Sequence, residues 1–440
     1  MPLSKAHRWV PALVLIAALA LAAPAALARA HPGADSYPPL LAGPASFVHH
    51  HNGRRNKHGH RSHSARSSSK HAKPRSTKRR KPRLSPAELL LRENVDSAIL
   101  AYQVMQKYFY VQGTGLYKGQ PYSYLWPFSQ ALAATVDLMG IPAEGARFRA
   151  EVHARLVGLE AYFDANNSGA NEGAFTSSLP GFDGSVAPPK GSGGAKYYDD
   201  NEWVGIELVR VYEQTGEAQA LEHAEQIMAF VMSGWQADAK LACPGGEPFS
   251  NSAENGTRNT VTTAPGAELA VQLYRLTGEV EYLRFAEMAY AWVRECLLLS
   301  TGLYADHIGA HGIVESTEWS YNQGTMIGAG VLLYQASGNA TYLAQASQTA
   351  SAALAYFTLE RLAGENPFFV AVYLRNLLYL DAVTGEPPGP QLAQSYVDYL
   401  GARYQSNGLF STSAYQPQLL VQAAVTQIYA MLGSSPASYF

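Results

Sequence analysis

The chain has 440 residues, enough for one large domain or two of average size, and its 47% hydrophobic, 11% aromatic and 15% charged composition excludes a wholly disordered protein. Its net charge of −2 hides an uneven distribution: 16 of the 33 Lys/Arg but one of the 35 Asp/Glu precede residue 84, leaving 17 basic against 34 acidic residues, a net −17, beyond it. A surface of that sign repels nucleic acid and acidic polymers and points to a neutral partner.

In chain order, Lys5 and Arg8 precede an apolar run from Val10 to about Ala23, followed by Pro24 and the small residues Ala28-Arg29-Ala30. This layout predicts a secretory signal peptide over residues 1–30. The run is marginal for a membrane span of about 20 apolar residues, and a retained anchor is the alternative. Residues 31–85 lack hydrophobic periodicity, are crowded with His, Ser, Lys and Arg, and read as a disordered basic linker. The linker serves either to attach the protein to anionic cell-envelope polymers or as a solvated spacer. Export makes a nucleic-acid partner unexpected and places the protein outside the cell or at its envelope.

From Ser85 a helical repeat begins. After the amphipathic stretch Ser85–Tyr110, six apolar segments of helical period each run into a glycine that terminates them. They are Trp126–Met139, Asn201–Thr215, Thr262–Thr277, Gln323–Ser337, Pro367–Thr384 and Gln416–Leu432. Four share a Thr/Ser-Gly turn, at Thr215-Gly216, Thr277-Gly278, Ser337-Gly338 and Thr384-Gly385. More polar helices follow, such as Tyr282–Leu299 and Ala340–Phe357. Six apolar helices alternating with six amphipathic ones predict an all-α fold, an (α/α)6 toroid over residues 86–440, with a superhelical repeat as the competing architecture. Strand patterns are nearly absent.

In a toroid the segments that lead into the inner helices gather at one mouth. Here those segments are Tyr122–Trp126, Lys196–Trp203, Thr257–Thr260, Thr317–Gln323, Glu365–Pro367 and Ser413–Tyr415. Aromatics, amides, hydroxyls and carboxylates dominate them, a mixture suited to the CH faces and hydroxyl rims of sugars. Asp199-Asp200 is the sharpest feature, because glycoside hydrolysis commonly uses two carboxyl groups about one bond. Two carboxylates about 5 Å apart repel by roughly 3 kcal/mol at an effective dielectric of about 20, enough to keep one protonated. Against this, adjacent helical residues diverge by about 100°, and a helix N-terminus favours the anion. The competing structural reading is an N-cap followed by a first-turn acid.

Other groups carry weaker signals. Glu315 and Glu318 form an alternative carboxyl pairing or plain surface charge. His307 and His311 have the spacing of a helical metal pair, but Gly309 and Gly312 make the segment a loop. Gly191–Gly194 lacks the context of a phosphate loop. The only two cysteines, Cys243 and Cys296, fall near the mouth and can join in a disulfide in an exported protein.

Tyr198-Asp-Asp-Asn-Glu-Trp203, Trp319-Ser-Tyr-Asn-Gln-Gly324 and Arg258-Asn-Thr260 together resemble the motifs of glycoside hydrolase family 76, over roughly residues 95–435. The resemblance implies an (α/α)6 barrel with endo-α-1,6-mannanase activity, retaining stereochemistry, and neither metal nor cofactor. It makes Asp199 the nucleophile and Asp200 the general acid/base. Trp126, Tyr198, Asn259, Thr260, Trp319, Tyr321, Asn322 and Gln323 are the expected substrate contacts. The chain departs from the family at Cys243–Ser250, where a Gly- and Trp-rich stretch is usual, which bears on substrate choice. The expected partner is a polysaccharide or oligosaccharide, bound by a monomer. A transglycosylase and a non-catalytic carbohydrate-binding protein of the same fold are the rival readings.

Overall fold

Ser85 starts the ordered fold with a capping box: its Oγ accepts from the Glu88 N–H at 3.2 Å, and its own N–H donates to Glu88 Oε2 at 2.7 Å. The computed structural model describes residues 84–434 except 143, 166–176, 253–255 and 387. The predicted signal peptide and all but the last two residues of the predicted linker lie outside the described residues.

The helices in chain order are α1 (Pro86–Phe109), α2 (Leu125–Met139), α3 (Arg149–Leu159), α4 (Tyr198–Thr215), α5 (Ala218–Ser233), α6 (Thr260–Thr277), α7 (Val280–Leu297), α8 (Ser320–Ser337), α9 (Ala340–Tyr356), the short α10 (Leu359–Gly364), α11 (Pro367–Thr384), α12 (Gly389–Tyr404) and α13 (Leu419–Leu432). A 3₁₀ turn at Gly145–Phe148 leads into α3.

α2, α4, α6, α8, α11 and α13 form the inner ring, each packed on the next, and α13 returns to α2. α1 packs against α13, so the first outer helix completes the last hairpin and closes the circle. The apolar periodicity explains the layering. α11 is buried at every residue from Pro367 to Asp381, whereas α7 buries one stripe including Phe285, Ala289, Trp292 and Val293. The (α/α)6 toroid predicted from the repeat is the fold observed.

Local chemistry sets the inner-to-outer turns. Gly216, Gly278, Gly338 and Gly385 adopt left-handed φ of 71–78°, and each N–H closes on the carbonyl four residues back. The preceding Thr215, Thr277, Ser337 and Thr384 hydroxyls accept the N–H of the residue after the glycine, and in the first three turns that residue is the N-cap of the next helix. Gly140 and Gly433 differ: they end α2 and α13 in right-handed backbone, at φ −74° and −83°.

The loops between outer and inner helices carry small antiparallel strands that the sequence did not suggest. β1 (Phe163–Asp164) pairs with β2 (Gly181–Phe182); β3 (Thr257–Asn259), β4 (His307–Gly309) and β5 (Val314–Glu315) form one sheet; β6 (Gln405–Ser406) pairs with β7 (Leu409–Phe410). Their two- and three-residue length leaves no room for an alternation pattern.

Toward the centre of the ring, inner helices are tied by buried charge. Asp137 of α2 takes both terminal nitrogens of Arg375 (α11) and one of Arg210 (α4), while Arg210 also grips Glu207 at 2.8–2.9 Å. Gln427 of α13 accepts from Arg375 at 3.2 Å and donates to Gln130 of α2 at 3.1 Å. Burial pushes the Asp137 carboxyl up, but the two guanidinium groups outweigh it and hold the group below the usual carboxylate range.

Candidate active site

The starts of the inner helices meet at one end of the ring. Trp126 of α2 packs edge-on against Phe368 of α11 at 5.3 Å, and Trp319, before α8, against Phe369 at 5.5 Å. β3, before α6, pairs with β4 in the loop before α8, and Ser320 donates to Glu365 before α11.

Amide and hydroxyl clamps repeat around this mouth and fix the loops. The fourth residue of α4, Asn201, accepts from the Phe182 N–H at 2.8 Å and donates to the Phe182 and Tyr197 carbonyls at 2.9 and 2.8 Å. The fourth residue of α8, Gln323, does the same to Tyr304 and Trp319, at 2.8, 3.1 and 2.9 Å. In α13 the fourth residue, Gln422, accepts from the Phe410 N–H at 3.1 Å. In α6, Thr262 and Thr263 together hold the backbone of Glu247.

Asp199 and Asp200 occupy the first turn of α4 after Tyr197, which makes no side-chain cap. They are 0% and 2% exposed. The helical divergence of adjacent residues appears directly: Asp199 acts electrostatically on Tyr321 of α8 and on Glu202, and Asp200 on Tyr162 ahead of β1. The Tyr321 hydroxyl donates to Asp306 Oδ1 at 3.3 Å, and Asp306 Oδ2 lies 2.8 Å from His307 Nδ1. Burial, Asp306 and then Asp199 raise the Tyr321 phenol well above its ordinary range, so it stays a hydrogen-bond donor beside these acids. The first turn of a helix offers unpaired backbone N–H groups and a positive dipole end, which favour an ionised carboxylate there.

The predicted contacts divide into those at the site and those with structural work. Tyr321 stands beside Asp199, Asn322 is fully buried with neither amide atom hydrogen-bonded, and Asn259 precedes the first residue of α6 without a side-chain capping bond. Trp319 helps line a pocket of about 590 Å³ with Thr317, Glu318, Tyr356, Arg361 and Glu365. Four of the expected contacts also use their side chains within the protein. Tyr198 stacks on Phe230 of the outer helix α5 at 4.5 Å, fully buried in the layer between helices. Gln323 uses its amide on backbone, as described above. Thr260 donates its hydroxyl to the Ala305 carbonyl at 2.6 Å. Trp126 is 6% exposed against Phe368, while Tyr124, two residues earlier, is 60% exposed at the head of α2.

The structure joins Cys243 to Cys296, with Cα atoms 6.1 Å apart. Arg258 braces the disulfide loop by donating to the Cys243, Ala242 and Gly309 carbonyls at 2.6, 2.8 and 3.1 Å. Glu315 and Glu318 lie on the rim, bonded to Thr317 and Thr301. His307 sits in β4, and His311 follows in the turn before β5.

Sequence reading passed over Asp306, Glu202 and Glu247, and gave Glu365 no role. No spacing signals them, because they come from separate segments and converge only in the folded mouth. Burial pushes the Glu365 carboxyl up to about 7 against the opposing hydrogen bonds from Ser320. Its proton therefore contributes stability that is complete below an unfolded value of about 4.5 and is lost as pH rises through about 7. Relative to the parent, Glu365→Gln should gain up to roughly 3 kcal/mol of stability between pH 4.5 and pH 8. Denaturant titrations at both pH values measure this, and a parent–variant difference independent of pH would contradict it.

The family model for glycosyl hydrolase family 76 matches residues 94–369. The chain belongs to this family. A mannan endo-1,6-alpha-mannosidase of Saccharomyces cerevisiae is 26% identical over 174 residues, which cover 36% of this chain and 38% of the relative. This chain thus spans well under half the length of that curated relative. A GH76 alpha-mannanase of Bacteroides thetaiotaomicron has the same fold, with a TM-score of 0.69, 19% identity and coverage of 80% of this chain and 98% of that one. So does an alpha-1,6-mannanase of Salegentibacter sp., with a TM-score of 0.62 and 19% identity, covering 77% of this chain and 99% of that one. That structure is of an inactive variant with two consecutive Asp-to-Asn changes, in complex with alpha-1,6-mannotriose.

Proposed function

We propose that this family 76 chain cleaves within α-1,6-linked mannan, or a related mannose-rich wall glycan, by a retaining mechanism. The observation that carries the reading is the adjacent Asp199-Asp200 pair in the first turn of an inner helix at the mouth of the ring. Asp199 attacks the anomeric carbon while Asp200 gives its proton to the departing glycosidic oxygen, leaving a glycosyl ester on Asp199. Asp200 then takes a proton from water, which displaces Asp199 and releases the sugar with its original anomeric configuration. The α4 N-terminus stabilises the starting carboxylate, and the neutral Tyr321 phenol, its proton given to Asp306, leaves its oxygen free to accept from a sugar hydroxyl. The reading includes export by the leader sequence and attachment to anionic envelope polymers through the basic linker.

Hydrolysis of α-1,6-mannotetraose followed by NMR tests it, alone and with an added mannobiose acceptor. The proposal expects shorter products released as the α-anomer, with no chain longer than the input. Products longer than the input would assign the same ester intermediate to glycan transfer. Release of the β-anomer would overturn retention.

A further inference from the structure

Glu202 and Glu247 have no part in the mechanism above, yet both are fully buried beside it. Glu202 lies one helical turn after Asp199 on the same face of α4. Glu247 arrives on the loop before α6, where Asn259 N–H and Thr262 Oγ1 donate to its carbonyl at 3.1 and 2.8 Å, and its own N–H donates to Thr263 Oγ1 at 3.1 Å. The two carboxyl groups meet over Gly266 of α6. A methyl group on that residue would lie 3.0 Å from Glu202 Oε1, 3.0 Å from Glu247 Oε2 and 3.2 Å from Val231 of α5. Among the described residues no Arg, Lys or His forms an ion pair with either acid. Glu268, the buried acid of α6 itself, turns instead toward Gly328 and Asn376.

Two ionised carboxylates cannot face each other in such a place without a cation; a proton between them removes the conflict. Burial, then Glu247 and Asp199, raise Glu202 well above the usual carboxylate range, and burial raises Glu247 as well. We propose that Glu202 and Glu247 share one proton, Glu202 donating to Glu247, and that this singly charged pair, one helical turn from Asp199, is a positioning pair for the glycosylation step. The inference rests on the reading of Asp199 as nucleophile. When Asp199 bonds to the anomeric carbon, the glycosidic C–O bond breaks, the Asp200 proton goes to the leaving oxygen, and Asp199 passes from anion to neutral ester. A fixed anion nearby disfavours the starting charge and favours the cationic sugar of the transition state.

Glu247→Gln in the full chain keeps size and hydrogen bonding while removing the charge. On linear α-1,6-mannan, kcat should fall about tenfold with KM within about twofold. The direction follows because the cationic transition state loses a nearby anion. A folded Glu247→Gln with unaltered kcat overturns the proposal, since a packing role alone would change only melting temperature. The Glu202→Gln/Glu247→Gln variant, an amide pair of the same size, supplies the same readouts if the single substitution does not fold. Infrared difference spectra at pH 7 test the proton itself: the parent should show a protonated carboxyl band that the double variant lacks, and its absence also overturns the proposal. If the parent cleaves no α-1,6-mannan, the functional reading and the positioning role fall together, while the infrared band still decides the shared proton.

Discussion

Asp199→Asn should lower kcat/KM on α-1,6-mannan by on the order of 10⁴-fold or more, equivalent to about 5 kcal/mol of transition-state stabilisation. An amide cannot form the glycosyl ester, and no other side chain occupies the same position in the first turn of α4. Asp200→Asn should lose less, about 10²- to 10⁴-fold, because a general acid contributes within that range. The roles separate on an aryl α-mannoside with a good leaving group. Such a substrate needs no protonation, so glycosylation by Asp200→Asn should recover substantially while Asp199→Asn stays inactive. Asp199→Gly with added azide should form an inverted glycosyl azide, and Asp200→Gly a retained one. Equal recovery of both variants on the activated substrate would contradict the assignment of roles.

Arg375→Met should destabilise the fold by about 3–5 kcal/mol, the expected cost of leaving a buried carboxylate without its bidentate partner. Asp137 would keep only Arg210, and Gln427 would lose the donor that ties α13 into the network. With inner helices held in a closed ring, the loss should appear as a single cooperative transition lowered by on the order of 10 °C. The sign of the pH dependence is fixed by the depressed Asp137 group. Its stabilising contribution is present above the unfolded carboxylate value and disappears as pH falls, so parent and variant should converge in acid. Asp137→Asn/Arg375→Met should recover part of the loss, because the remaining buried groups are then neutral amides, Glu207–Arg210 apart. A melting temperature unchanged in Arg375→Met would contradict this account of the ring centre.

Much of the architecture was legible because its signals are local. A Thr/Ser-Gly turn is written in adjacent residues, and the six apolar segments differ in period and polarity from the helices that follow them. The helix starts were harder. The structure begins α4 at Tyr198, α6 at Thr260 and α8 at Ser320, two or three residues before apolar periodicity becomes visible, because the first turns carry polar and aromatic groups. α13 instead begins at Leu419, later than expected, after Pro417 disfavours helical backbone at Gln416.

The site was legible in residue type but not in direction. Asp199 and Asp200 stand out as a pair, and Asp199 acts electrostatically on Tyr321, which the motif singled out as a substrate contact. Gln323 and Asn201 have the chemistry of sugar ligands but spend it on the backbone of loops that arrive from elsewhere. Tyr198, next to the pair, turns outward because adjacent helical residues diverge. Glu202 and Glu247 show the converse: neither is notable in sequence, and only Gly266 brings their carboxyl groups together.

The most direct test of the central claim is reducing-sugar release from linear α-1,6-mannan by the parent, Asp199→Asn and Asp200→Asn, each confirmed folded. The account predicts endo-type release by the parent, none by Asp199→Asn and a small residual rate by Asp200→Asn. A parent that binds α-1,6-mannan yet releases nothing, or a folded Asp199→Asn as active as the parent, would contradict it.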